Sequence, residues 1–271
     1  MVDWTAEGRL QAGGKSLEYR CYGAAPKQAM TIVMLHEGLG CVALWRGFPQ
    51  KLAEATGMGV MAYSRAGYGH SDSADLPRPL DYMTREAVDV LPQVLDAFGV
   101  QRCILLGHSD GATIAAIYAG SVEDFRVRGL VLMAPHFFTE DMGLAEIAKA
   151  QDAFAQTDLR ERMGKYHRDP EAVFRGWNDV WLDPGFKTWN VAEVIDYLRI
   201  PTLAIQGKDD QYGTLAQISE IEDRSYAPVD TLILEDCRHA PHVDQPQAVL
   251  DAVNEFATRL ERIEAAVVEI A

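Results

Sequence analysis

Short apolar runs recur along the chain, and most of them are bounded by glycine, proline or aspartate. Runs of this length suit the buried strands of a parallel sheet, because both faces of such strands are covered. The predicted strands are Met30–Leu35, Gly59–Tyr63, Cys103–Leu106, Gly129–Met133, Thr202–Ile205 and Thr231–Leu234. Amphipathic segments such as Thr84–Phe98 and Ala248–Arg262 lie between most runs and predict helices. This alternation predicts a doubly wound α/β fold with helices on both faces of the sheet.

The first stretch of the chain follows a different pattern. Arg9–Gln11 and Ser16–Tyr22 flank the pair Gly13-Gly14, and two strand-like runs around a glycine turn indicate a β-hairpin. The central sheet is therefore expected to begin with an antiparallel hairpin and to continue as a mostly parallel sheet.

The alternation is interrupted once, between Pro135 and Pro201, where no strand-like run occurs. The aromatic residues of this segment are Phe137, Phe138, Phe154, Tyr166, Phe174, Trp177, Trp181, Phe186 and Trp189. A long insertion in a regular α/β chain is usually functional, and ligands of open α/β sheets bind at the carboxyl edge. We therefore predict a helical cap over residues 136–185, inserted after the sixth strand, on a core of residues 1–135 and 186–271.

Composition narrows the possible partners. The 271 residues hold 25 Lys+Arg against 40 Asp+Glu, which gives a net charge of −15. Such a chain repels phosphate backbones and anionic membranes, so a small-molecule substrate is expected rather than nucleic acid or a membrane. The amino-terminal stretch has no apolar signal-peptide core, and no apolar run reaches the length of a membrane helix, so a cytoplasmic location is expected. The four dispersed cysteines form no Cys-x-x-Cys pair and are interpreted as free thiols.

The strongest chemical signal is Gly107-x-Ser109-x-Gly111, which directly follows an apolar strand and precedes the small-residue helix Ala112–Gly120. A nucleophilic serine needs a tight, strained strand-to-helix turn so that its hydroxyl projects from the sheet edge. The flanking glycines are needed because side chains there would collide with the strand and the helix. This context predicts a nucleophile elbow with Ser109 as the nucleophile.

A serine hydroxyl needs an imidazole to take its proton and an acid to orient that imidazole. On α/β folds of this kind the acid follows the serine along the chain, and the histidine follows the acid. Asp209 and Asp210 come just after the run Thr202–Ile205, on a loop expected at the carboxyl edge. One of them is expected to turn towards the histidine and the other towards water or the next helix; we favour Asp210.

His239 and His242 are the candidate bases after the last predicted strand. Asp244 and Pro246 mark the start of the final helix, which leaves His242 almost at that helix and His239 free on the loop. We therefore favour His239. A metal pair is the alternative for this His-x-x-His spacing, but a third ligand is missing, so no metal or organic cofactor is predicted.

The remaining histidines are assigned simpler roles. His36, His108 and His136 flank the expected active-site loops and are predicted to be hydrogen-bonded structural groups or pocket lining. His70 and His167 are predicted to lie on the surface.

Acyl transfer also needs backbone N–H groups directed at the oxygen of the tetrahedral intermediate. One donor is expected to be the N–H of Asp110, the residue after the nucleophile. The other is expected from the glycine-rich loop His36–Gly40, which follows the first parallel strand.

Together these segments resemble the α/β-hydrolase superfamily, over essentially the whole chain. The motifs that carry the resemblance are LHEGLG (35–40), SRAGYGHSD (64–72), GHSDG (107–111), GKDD (207–210) and CRHAPHVDQP (237–246). The resemblance implies Asp210 as the acid, His239 as the base and Gly38 as the second oxyanion donor. Glu37 departs from the family, which usually has glycine there, and its carboxylate would oppose the oxyanion unless it is paired or turned away.

The resemblance implies a serine hydrolase with an acyl-serine intermediate, and we expect a carboxylic ester as the substrate. The aromatic cap suggests a small to medium apolar or aromatic substrate, with Glu37, His136, Trp177 and Trp181 as pocket residues. Serine at the elbow argues against dehalogenase and epoxide-hydrolase chemistry, for which relatives use aspartate. The alternatives are hydrolysis of a carbon–carbon bond in a diketone-like substrate and a small-molecule receptor with little or no turnover.

Overall fold

A computed structural model describes Trp4 and residues 6–270, with side chains up to residue 266. In this part of the chain the strands are β1 (Glu7–Ala12), β2 (Lys15–Tyr22), β3 (Thr31–Leu35), β4 (Gly59–Tyr63), β5 (Cys103–His108), β6 (Val127–Met133), β7 (Thr202–Gly207) and β8 (Val229–Leu234). Each predicted apolar run forms a strand, and β1 and β2 form the predicted hairpin. Most of the observed strands extend one to three residues beyond the apolar runs.

The strands form one sheet in the order β1-β2-β4-β3-β5-β6-β7-β8. β1 pairs with β2, and β2 with β4, in antiparallel fashion, whereas every later pair is parallel. The chain order reverses between β3, β4 and β5, so loops after β3 and β5 leave neighbouring strands at the carboxyl edge. The predicted α/β-hydrolase sheet is confirmed in both its hairpin and its parallel part.

Helices cover both faces of the sheet. They are α1 (Phe48–Thr56), α2 (Tyr82–Arg85), α3 (Leu91–Phe98), α4 (Asp110–Ser121), α5 (Asp141–Gln156), α6 (Leu159–Met163), α7 (Pro170–Trp181), α8 (Ala216–Arg224), α9 (Pro241–Asp244) and α10 (Pro246–Ile270). A π-helical segment, Glu86–Val90, joins α2 to α3. Short 3-10 helices span Val42–Trp45, Pro184–Thr188 and Ala192–Tyr197.

The core consists of two apolar layers, one on each side of the sheet. Side chains alternate between the faces of a strand, so the fully buried β3 contributes to both layers. Ile32 and Met34 belong to the layer with Leu52 of α1 and Val253 of α10. Val33 and Leu35 belong to the layer that contains α3 and α4. Burial on both faces explains why this strand reads as a continuous apolar run.

The stretch between β6 and β7 contains α5, α6 and α7 and, within the described residues, no strand. α7 begins after Asp169, whose carboxylate accepts a hydrogen bond from the Ala172 N–H at 3.0 Å, and Pro170 occupies its first turn. Such an N-cap satisfies one of the free N–H groups at a helix start. The buried face of α7 carries Trp177 and Trp181, one helical turn apart. The division into a cap of residues 136–185 and a core stays a prediction.

None of the described helices is both long and apolar enough to cross a membrane. All four cysteines are buried free thiols.

Candidate active site

Ser109 lies at the turn between β5 and α4, with φ 53° and ψ −119°. This positive φ is rare for a residue with a side chain and costs about 1–3 kcal/mol, which the surrounding packing has to offset. A Cβ at Gly107 would collide with the backbone of Gly111, and a Cβ at Gly111 would collide with the Leu35 carbonyl. The Ser109 N–H donates to the Met133 carbonyl at 2.9 Å, which fixes the turn against β6. The local sequence thus folds into the predicted elbow.

Asp210 and His239 are hydrogen-bonded to each other, although 29 residues separate them along the chain. The Nδ1 of His239 lies 2.9 and 2.8 Å from the two carboxylate oxygens of Asp210. The same carboxylate accepts from Gln206 Nε2 at 2.9 Å and from the Tyr212 N–H at 2.8 Å. Burial raises the pKa of Asp210, but the bonds from His239 and Tyr212 outweigh it, and the pKa is lowered overall. The neighbouring Asp209 is exposed.

His242 occupies a different environment from His239. Its ring lies 4.9 Å from the Trp45 ring and 5.6 Å from the Phe48 ring, measured between centroids. Burial lowers the pKa of His242 to about 3, so this side chain is neutral at physiological pH. His242 is thus a packed core histidine, while His239 is the one that reaches Asp210.

The loop His36–Gly40, which the sequence predicts to be the oxyanion loop, is oriented by Arg65, a fully buried residue of the loop after β4. Its Nη1 donates to the His36 carbonyl at 2.6 Å and its Nη2 to the Glu37 carbonyl at 3.1 Å. The Nδ1–H of His36 also donates to the Glu37 carbonyl, at 2.7 Å. In a trans peptide the C=O and the next N–H point in opposite directions, so the Gly38 N–H is directed away from Arg65. Gly38 lines the same cavity as Ser109.

Glu37 is paired with His108, the residue that precedes Ser109. The Glu37 Oε2 lies 3.6 Å from Nδ1 of His108, and the Nε2–H of His108 donates to the His239 carbonyl at 2.7 Å. Burial raises the pKa of Glu37, but the contact with His108 outweighs it and lowers the pKa overall. The Glu37 carboxylate therefore lies within ion-pair distance of a histidine ring.

The Asp110 side chain is buried and turned towards Arg65 and Tyr82. Its Oδ2 accepts from the Tyr82 hydroxyl at 2.6 Å and lies 3.7 Å from Nη2 of Arg65. The Tyr82 oxygen in turn accepts from Nε1 of Trp181 at 3.1 Å, which connects α7 to the elbow. Burial raises the pKa of Asp110, against the opposing effect of Arg65. Because Asp110 is the first residue of α4, its backbone N–H has no partner within the helix.

Ser109 and His239 open on one cavity of about 520 Å³, its mouth included. The cavity is lined by Glu37, Gly38, Leu39, Ser109, His136, Ile147, Trp177, Trp181, Tyr212 and His239. The four pocket residues proposed from the sequence are all among them. Burial lowers the pKa of His136 to about 3, so this lining histidine is neutral.

The prediction that His167 lies on the surface is wrong. His167 is buried; its Nδ1 accepts from the Gly69 N–H and its Nε2–H donates to the Leu39 carbonyl, both at 3.0 Å. It thereby joins the stretch between α6 and α7 to the oxyanion loop. The sequence around His167 does not indicate that this side chain is buried, because its partner Gly69 lies 98 residues away along the chain. His70 is exposed, as predicted.

Among the residues that the structure describes, no group of three or more His, Cys, Asp or Glu side chains is arranged to hold a metal ion. The polar groups at the site include Ser109, the Asp210–His239 pair and the Glu37–His108 pair.

A model of the alpha/beta hydrolase family matches residues 32–252, which include Ser109, Asp210 and His239. The chain belongs to the alpha/beta hydrolase family. A proline iminopeptidase of Saccharolobus solfataricus is 24% identical, over 92% of this chain and 91% of that protein. A pimeloyl-(acyl-carrier protein) methyl ester esterase of Aeromonas salmonicida is 25% identical, over 84% of this chain and 96% of that protein.

Among solved structures, the enol-lactonase from Burkholderia xenovorans LB400 has the same fold, with a TM-score of 0.71. The two are 19% identical, and the match covers 93% of this chain and all of the lactonase chain. The predicted membership of the superfamily is thus confirmed, and the chain is a member of a hydrolase family.

Proposed function

We propose that this hydrolase cleaves carboxylic esters through an acyl-serine intermediate formed on Ser109. The observation that carries the proposal is the buried Asp210–His239 hydrogen bond, whose histidine opens on the same cavity as the strained serine. With Nδ1–H held by Asp210, the other ring nitrogen of His239 is free to accept the serine proton.

In the first half of the reaction His239 takes the Ser109 proton while the serine oxygen bonds to the ester carbonyl carbon. The resulting oxyanion is stabilised by the N–H groups of Gly38 and Asp110. The imidazolium then gives its proton to the leaving alcohol as the carbon–oxygen bond breaks. In the second half, His239 takes a proton from water, the hydroxide attacks the acyl-serine, and the acid is released with Ser109 reprotonated.

The cavity supports a small or medium-sized apolar acyl or aryl group as the substrate. Leu39, Ile147, Trp177 and Trp181 supply apolar walls, and these walls limit the size of the group that fits beside Ser109. We further propose that residues 136–185 act as a cap, because α7 carries both tryptophans into the cavity. An esterase and a lactonase among the similar proteins support the choice of ester chemistry.

A panel of nitrophenyl esters with acyl chains of increasing length tests this function. We expect saturable hydrolysis of the shorter or aryl esters, loss of turnover in Ser109→Ala, and a decline for chains that exceed the cavity. If no ester is hydrolysed by a folded protein, ester cleavage is wrong, and carbon–carbon hydrolysis or ligand binding without turnover becomes the better account.

A further inference from the structure

Three loops of the site meet at the side chain of His108. Its Nε2 lies 2.7 Å from the His239 carbonyl oxygen, and its Nδ1 lies 3.6 Å from Oε2 of Glu37. A carbonyl oxygen and a carboxylate both accept hydrogen bonds, so both ring nitrogens face acceptors. A neutral imidazole has a single N–H and would direct a lone pair at the carboxylate, whereas an imidazolium has an N–H for each acceptor.

We propose that Glu37 and His108 form a carboxylate–imidazolium pair that positions the His239 loop and cancels the negative charge beside the oxyanion loop. The inference rests on the proposed function, because it assigns these residues to the same serine site. His108 acts through the His239 carbonyl and is therefore a positioning residue.

The groups around His108 favour its charged form. Glu37 faces it from the loop after β3 and Asp210 from the loop after β7, and both carry negative charge. The His239 ring lies 5.1 Å away and the His242 ring 4.9 Å away, measured between centroids. Burial lowers the pKa of His108, but Glu37, the His239 carbonyl and Asp210 raise it, and the pKa is raised overall. His242 adds no charge, because burial holds it neutral.

Glu37 has a second histidine nearby, but His108 is its charged partner. His36 is in the same loop, and burial together with Arg65 lowers the pKa of His36 well below its ordinary range. The ring of His36 also has one hydrogen-bond donor and one acceptor in place: Nδ1–H donates to the Glu37 carbonyl, and Nε2 accepts from the Arg65 N–H at 3.1 Å. A neutral His36 satisfies both bonds, so the positive charge that compensates the Glu37 side chain resides on His108.

The charge balance matters because a negative charge develops on the oxyanion during acyl transfer. Without His108, the Glu37 carboxylate would remain uncompensated beside Gly38 and would repel that charge. Removing both members of the pair would leave the site neutral again. The pair therefore predicts that the double variant Glu37→Gln/His108→Gln is more active than the single variant His108→Gln.

The first experiment measures protonation and needs no activity. Histidine ring nitrogens are titrated by NMR in the Ser109→Ala protein, and the His108 signals are assigned by their loss in His108→Gln. We expect a His108 ring that is mostly protonated at pH 7, where an ordinary histidine with a pKa of about 6.5 is mostly neutral. Glu37→Gln should make it mostly neutral at that pH. A neutral His108 ring at pH 7 in the protein that retains Glu37 would overturn the proposal. The same His108 titration with Glu37 and with Glu37→Gln would also overturn it.

The second experiment compares turnover of a nitrophenyl ester by His108→Gln and by the double variant Glu37→Gln/His108→Gln. We expect the single variant to lose about tenfold to hundredfold in kcat, with KM little changed, and the double variant to recover most of that loss. A double variant no faster than the single one would contradict the pair. If the unaltered protein cleaves no ester, the proposed function fails while the titration still decides the pair. If His108→Gln does not fold, the His108 signals are assigned in the protein that retains His108. The titration then still decides whether the pair exists.

Discussion

At the scale of single residues, the proposed chemistry depends on where the protons of His239 are held. The Asp210 carboxylate accepts from three donors, one of them Nδ1 of His239, and its pKa is lowered overall although burial opposes this. An ionised Asp210 carboxylate has no proton to donate, so the hydrogen bond requires that Nδ1 of His239 carries the proton. This fixes the tautomer of the histidine. The other ring nitrogen is then unprotonated and available as a base.

Asp210→Asn should lower kcat by about 10³–10⁴-fold, because an amide can present its NH₂ to Nδ1 and favour the wrong tautomer. KM should change little, since Asp210 is behind the imidazole and does not line the cavity. Steady-state kinetics on a nitrophenyl ester measure both constants. Asp209→Asn is the matched control, because this exposed neighbour is expected to stay within about twofold of the unaltered protein. A larger loss in Asp209→Asn would reassign the acid.

At the scale of elements, the site is assembled from loops at the carboxyl edge of the sheet and from the helices α5 and α7 above it. Ser109, Asp210 and His239 follow β5, β7 and β8, and the loop His36–Gly40 follows β3. α7 closes the site from the other side, where Trp177 packs so near Gly38 that a Cβ there would collide with the indole. The position of α7 and the position of the oxyanion loop are therefore mutually dependent.

Gly38→Ala should lower kcat/KM about tenfold or more, because the added methyl group must displace either the Trp177 ring or the N–H donor of the loop. Ester kinetics and the tryptophan fluorescence spectrum together report both displacements. Gly47→Ala is the control, since a Cβ at Gly47 meets no atom within 4 Å and its φ of −85° suits any residue. Equal activity of Gly38→Ala and Gly47→Ala would show that the contact does not constrain the loop.

Sequence patterns predicted the elements well where a single segment determines its own structure. Buried parallel strands give apolar runs, and the elbow requires its glycines within five residues, so both could be read from the chain. The pattern of Thr84–Phe98 could not reveal the π-helical segment within it, because a π turn hardly alters an amphipathic period over five residues. Pro92, which lacks an N–H and crowds the preceding turn, gives a physical reason for the irregularity there.

At the scale of the whole molecule, the site is held by hydrogen bonds between distant parts of the chain. His108 and the His239 carbonyl are 131 residues apart, and His167 reaches Leu39 across 128 residues. Sequence patterns could propose Ser109, Asp210 and His239 from their motifs. They could not predict the roles of Arg65 and His167 or the partners of His108, because these groups are brought together only by tertiary packing.

Two histidines, His242 and His136, are buried in their neutral form, and we therefore expect the stability of the fold to fall at acidic pH. The pKa of His242 is lowered to about 3, against about 6.5 in the unfolded chain, so the unfolded state binds more protons between these values. The stability that this group contributes is complete above pH 6.5 and declines as the pH falls towards 3. His136, with its pKa also lowered to about 3, acts in the same direction.

His242→Phe should therefore weaken the dependence of stability on pH. Phenylalanine suits the aromatic surroundings of Trp45 and Phe48 and has no proton to gain. Between pH 7 and pH 5, the free energy of unfolding of the unaltered protein should fall by about 2 kcal/mol more than that of the variant. Urea unfolding at the two pH values measures the difference. Parallel falls in both proteins would mean that His242 is protonated in the folded state.

Covalent labelling tests whether Ser109 is a nucleophile. The protein is treated with a fluorophosphonate, and the modified peptide is identified by mass spectrometry, with Ser109→Ala as the control. We expect one stoichiometric adduct on Ser109 and none in the alanine variant. An unlabelled protein that is otherwise folded, or an equal adduct in Ser109→Ala, would contradict it.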